Sequence, residues 1–144
     1  MKNIFLLLLL CMISYKGISQ KNELQVWKYK VSSVMMRAKN SDTWSNWAKP
    51  KKGSELIGTL MVLDLINHKL SAYLPIQRDY SIISVINAGQ EVETNTLFSF
   101  SAVDYKNEKC LIFLIIPKSN SRNATLQIAY PKVEMELSVE SQDY

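Results

Sequence analysis

The sequence predicts an all-β domain: an antiparallel meander of about eight strands, barrel-like, with a β-sandwich as the alternative packing. Three observations carry this. Short runs rich in β-branched and aromatic residues recur along the chain, several of them alternate apolar with polar residues, and clusters of turn formers separate them at hairpin spacing. With 144 residues, 47% of them hydrophobic and 21% charged, the chain is the size of one domain with a substantial core, and its composition excludes a disordered tail. Only four Gly and four Pro serve the whole length, and no repeat or Gly/Ser linker is present, so the elements must be joined tightly.

The elements follow in order. Trp27, Tyr29 and Val31 alternate with Lys28 and Lys30, then the parity slips at Ser32-Ser33 before Val34, Met36 and Ala38 resume it, which predicts one strand with a bulge. Residues 40–54 mix turn formers with Pro50 and Gly53 and read as an irregular connection. Leu56 to Ile66 and Leu70 to Ile76 flank Asn67-His68-Lys69, a hairpin turn. Tyr80 to Ala88 is the next strand, ended by Gly89-Gln90. Val92, Thr94, Thr96, Phe98, Phe100 and Ala102 share one parity up to the polar turn Asp104–Glu108. Leu111 to Ile116 is apolar on both faces and stops at Pro117. After the turn Ser119–Asn123 come Leu126, Ile128 and Tyr130, and then Val133, Met135, Leu137 and Val139, whose interleaved Glu134, Glu136 and Glu140 belong on the solvent side.

Two stretches also fit helices: Ser54 to Ile66, and Asp79 to Ala88 with an Asp N-cap and Gly89 past its end. The β-branched Val62, Ile66, Ile82, Ile83, Val85 and Ile86 argue for strands in both. A meander of this kind must deal with its edges, and closure into a barrel does so. In size and strand count such a barrel resembles the calycins, the lipocalins and fatty-acid-binding proteins. The lipocalin Gly-x-Trp is not matched, because Gln25-Val26 precedes Trp27.

Met1-Lys2-Asn3, an apolar run from Ile4 to Ile13, and the small polar stretch Lys16–Gln20 have the three parts of a secretory signal. Cleavage after Ser19 or Gln20 leaves one domain, 21–144, in a secreted or periplasmic location, with no later run long enough for a transmembrane span. Lipidation at Cys11 is the less favoured alternative, since Leu10 stands where that processing prefers a small residue. With Cys11 gone, Cys110 is left as the single thiol, which precludes an internal disulfide and suits a small buried hydrophobe. Asn123-Ala124-Thr125 fits the glycosylation tripeptide and is read as a turn.

Charge is unevenly spread. Residues 21–55 hold eight Lys/Arg against three acids, whereas 132–144 hold Lys132 against four acids, so the two ends could pair within the fold or the first could meet an anionic partner. Catalytic patterns are missing: His68 is the sole histidine, and no nucleophile elbow, phosphate loop or His-Glu-x-x-His is present. No catalytic residue, metal ligand or cofactor is therefore expected, and the chain reads as a non-enzyme. Asp64, inside Leu60–Ile66, is the one acid that would need a partner if buried; a strand-end acid bonded to backbone is the plainer reading, and a carboxylate-based hydrolase would need a second acid beside it.

The most suggestive segment is Trp44-Ser-Asn-Trp47 with Lys51 and Lys52 close behind. Indoles beside ammonium groups can stack on sugars or hold an apolar body while the lysines meet an anionic head. Trp44, Trp47, Lys51 and Lys52 are thus expected at a barrel mouth, with Trp27, Tyr29, Phe98 and Phe100 as lining. The expected function is an exported binding protein for a hydrophobic or amphipathic molecule or a glycan. The alternative is a secreted or surface-held sandwich module that contacts a protein or anionic glycan through its basic first quarter. Export argues against nucleic acid.

Overall fold

The computed structural model describes residues 26–46, 57–73 and 77–142. The leader 1–20 with Cys11, and Trp47, Lys51 and Lys52, lie outside the described residues. The elements are β1 (Val26–Ala38), β2 (Ser45–Asn46), β3 (Leu60–Asp64), β4 (Lys69–Tyr73), β5 (Arg78–Val92), β6 (Asn95–Val103), β7 (Lys109–Pro117), β8 (Asn123–Ala129) and β9 (Val133–Ser141). Every pairing is antiparallel; β1 and β3 to β9 pair in chain order and β9 returns to pair with β1, so eight strands close into an up-and-down barrel and the sandwich alternative is set aside. The short β2 lies against the end of β1, beside Met35 and Met36.

Closure depends on the slip in β1. Tyr29, Lys30 and Val31 oppose Ser141, Glu140 and Val139, and the register then shifts so that Ser33 opposes Ser138 and Ala38 reaches Val133. The predicted bulge therefore lies where the parity breaks, and it bends β1 so that Val26–Lys30 ladder with β3 while Tyr29–Ala38 close on β9. The uneven charge is partly absorbed at the same seam, where Arg37 of β1 pairs with Glu134 of β9 at 2.6 Å.

Alternate residues of each strand point inward and fill the interior. Val31 and Val34, Leu63, Leu70, Phe100, Ile112 and Leu114, Ile128 and Leu137 are all less than 2% exposed. Neither stretch with a helical alternative is helical where described: the first gives β3, whose turn begins at Leu65 and leaves Ile66 outside the strand and Lys69 on β4, and the second runs through β5. The strand over Tyr80–Ala88 does not stop at Gly89 as predicted. Gly89 adopts φ 93 inside one of three register shifts and lies under the Phe98 ring, and β5 runs on to Val92. The turn falls at Glu93-Thr94, with Glu93 at φ 46, and puts Val92 on β5 opposite Asn95 instead of on the following strand.

The barrel has two distinct ends. The upper end carries the chain after β1, the start of β5, the turn 104–108 and the turn 130–132; the lower end carries the turns 65–68, 93–94 and 118–122. No helix among the described residues is long and apolar enough to cross a membrane.

Candidate functional site

A cleft of about 630 Å³ opens at the upper end. Its floor is built from the inward face of the strands: Tyr80, 6% exposed, rises from β5, and Tyr130 stands at the end of β8. Pro131, Val133 and Met135 form an apolar side, because the chain reverses at Pro131-Lys132 and enters β9, with the Tyr130 amide donating to the Val133 carbonyl at 2.9 Å. Arg78, Tyr105 and Lys106 form the opposite, cationic side.

The turn between β6 and β7 fixes that cationic side. Asp104 is 7% exposed, and its Oδ1 accepts from the Lys106 amide at 2.8 Å and the Glu108 amide at 2.9 Å, while its Oδ2 accepts from the Tyr130 hydroxyl at 3.2 Å. The Asp104 amide donates to the Glu108 carbonyl, and Asn107 takes φ 63, a conformation that asparagine tolerates. A buried carboxylate held this way is satisfied by its own turn. Tyr130 donates its hydroxyl to Asp104 and also shares a side-chain hydrogen bond with Tyr80, so the two phenols and the carboxylate form one network. Burial pushes both phenols above their ordinary range, and the floor of the cleft is uncharged phenol at neutral pH. Cys110 lies beside this network; burial first, and the Asp104 charge second, push its thiol up to about 11, which keeps it protonated and unreactive.

Above the floor, the Arg78 guanidinium sits 5.9 Å and the Lys106 ammonium 5.6 Å from the centre of the half-exposed Tyr105 ring. Among the described residues, Arg37, Lys69 and Lys118 of the barrel wall are paired with Glu134, Asp79 and Glu91. Arg78, Lys106 and Lys132 at the cleft have no carboxylate within ion-pair distance among those residues.

Of the sequence-predicted residues, the described ones, Trp27, Tyr29, Trp44, Phe98 and Phe100, do not line this cleft. Trp44 is at the upper end on the outer wall, its ring 4.4 Å beneath the Arg37 guanidinium, where it fastens the chain leading to β2. Tyr29 and Phe100, 7% and 0% exposed, belong to the core, and Trp27 packs edge-on against Phe98 with ring centres 5.0 Å apart near the lower end. Asp64 ends β3 and accepts from the Ile66 and Asn67 amides and the Asn67 side chain, the strand-end role. His68 sits in the adjoining turn at φ 53. Among the described residues no group of three or more His, Cys, Asp or Glu is placed to hold a metal.

Sequence reading missed Arg78, Tyr80, Tyr105, Lys106, Tyr130 and Lys132. A local signal exists: an aromatic residue lies within two positions of a cation in Arg78-Asp79-Tyr80, Tyr105-Lys106 and Tyr130-Pro131-Lys132. All three segments border upper-end connections, and the antiparallel order of β5 to β9 brings them round one opening. No family model, curated protein or solved structure matches this chain.

Proposed function

We propose that this protein is an exported binding protein that takes a small amphipathic molecule at the upper mouth of its barrel, and that it performs no catalysis. The observation that carries the reading is the cleft itself. It is about 630 Å³, within the range of small-molecule sites, and it sets phenol faces and an apolar side against three cations on a floor whose polar groups already satisfy one another. The interior below is occupied by Phe100, Ile112 and the other core side chains, which favours the mouth over the barrel lumen as the seat of the ligand. The leader-like first twenty residues support export.

Fluorescence titration of the purified protein with anilinonaphthalene sulfonate tests this. The expected result is saturable one-site binding that Val133→Trp, which fills the mouth, weakens about tenfold or more while the circular dichroism stays unchanged. Should Val133→Trp disturb folding, Tyr105→Ala supplies the same comparison from an exposed position. Non-saturating binding, or binding indifferent to both variants, overturns the reading.

A further inference from the structure

Resting on the cleft as a binding site, we infer that its ligand is a compact, ring-bodied molecule with one acidic head, the head seated between Arg78 and Lys106 beside Tyr105 and the body against Pro131, Val133 and Met135. Charge gives the head. The cleft is lined by three cations and two acids, and one of the acids, Asp104, is enclosed by the Lys106 and Glu108 amides and the Tyr130 hydroxyl. A positive excess of one remains, matched by a single anionic group.

Position gives the seat. Arg78 and Lys106 are drawn over the same ring, where each gains from the electron-rich face but repels the other. An anion placed between them relieves that repulsion and accepts charge-assisted hydrogen bonds from both. The uncharged phenol floor then offers no competing charge of either sign, and the edge of a ring can lie on it.

Packing gives the body. A long acyl tail leaving this cleft downward would have to displace side chains that are fully buried, beginning below Tyr80 with Phe100, Ile112 and Ile128. The apolar side at the mouth is short: one proline, one valine and one methionine. It covers a ring system and not an extended chain.

The experiment compares anilinonaphthalene sulfonate with phenylnaphthylamine, the same ring body without the acid, and adds competition by naphthoate and by a series of fatty acids. The neutral probe is expected to bind about tenfold more weakly. Raising salt from about 50 mM to about 500 mM should weaken the sulfonate and leave the neutral probe unchanged. Arg78→Gln with Lys106→Gln should close the gap between the two probes, naphthoate should displace both, and hexadecanoate should compete no better than octanoate. Equal binding of the two probes with no effect of the double variant overturns the acidic head while leaving the cleft as a binding site. Affinity that climbs steadily with chain length overturns the compact body. Failure of both probes to saturate overturns the binding site and this inference with it.

Discussion

The two ends of the barrel solve the same problem, how to finish a closed sheet, in opposite ways. At the upper end short turns are tied by side chains: Asp104 holds two amides and Tyr130, and the Lys39 amide reaches the Lys132 carbonyl across the β1–β9 seam at 3.1 Å. At the lower end the sheet loosens. β4 begins at Lys69, which opposes Ser81, so among the described residues β5 continues from Ile83 to Val92 with β6 as its only ladder partner. Three register shifts twist that free length, and Ile83, Val85 and Ile86 are 62%, 47% and 54% exposed. Bulges on an unpaired edge discourage pairing with another chain. The lesson is that one end is organised to present fixed polar groups, while the other is organised to avoid a flat edge.

Both ends depend on the packed middle, and its loss should be the largest effect. Phe100→Ala removes a side chain with no exposure, and the expected destabilisation is about 3–5 kcal/mol in urea unfolding. A loss under about 1 kcal/mol would mean that the interior is not tightly packed. Next comes the upper turn. Asp104→Ala leaves two amides and the Tyr130 hydroxyl without their acceptor, and about 2–4 kcal/mol should be lost together with anilinonaphthalene sulfonate binding. Binding that survives this change would detach the cleft from the turn.

The lower end should respond more weakly. Gly89→Ala forces φ 93 on an alanine whose Cβ would stand 3.1 Å from the Phe98 ring, at an expected cost of about 1–3 kcal/mol with probe binding unchanged. Ile83→Ser, on the exposed edge, should change stability by less than about 0.5 kcal/mol. A larger loss would show that this edge is covered in solution.

Acid should separate the ends with the smallest energies. The Asn67 side chain and amide hold the Asp64 carboxyl below its ordinary value, and Lys118 does the same for Glu91. A carboxyl whose folded pKa is lowered contributes stability above its unfolded pKa and loses it as the pH falls through the folded value. Hydrogen exchange compared between about pH 6 and about pH 3 should therefore reveal lost protection in the 65–68 turn and the β5–β6 hairpin before β7 and β8. Simultaneous loss everywhere would contradict a locally weaker lower end.

Much of the fold was legible because alternation is a local signal. The period-two pattern of Val133–Glu140 gives β9, with Leu137 and Val139 buried and the glutamates outward, and the parity slip at Ser32-Ser33 marks a bulge that closure requires. β5 was less legible for the same physical reason. The doubled Ile82-Ile83 and Val85-Ile86 break alternation where register shifts occur, and a glycine that ends most strands here lies beneath an aromatic ring inside one. The site was hardest to read. Trp44 drew attention by its size, yet it stacks on Arg37, whereas the cleft gathers residues from the start of β5 and two turns, about twenty-five positions apart, that the antiparallel order of β5 to β9 brings together.

That ring is joined between the first and last large strands, β1 and β9, and the joint orders the molecule in time. Tyr29 faces Ser141, and the Gln142 amide donates to the Lys28 carbonyl at 2.8 Å, so no shorter stretch of polypeptide can shut the cylinder. Hairpins from β3 onward can zip independently, but the final stitch spans more than a hundred residues, and such distant pairings form slowly. The seam between β1 and β9 is therefore the pairing of greatest sequence separation in the barrel, and refolding that is slowed more by a change at this seam than by one in any hairpin would mark it as the late step.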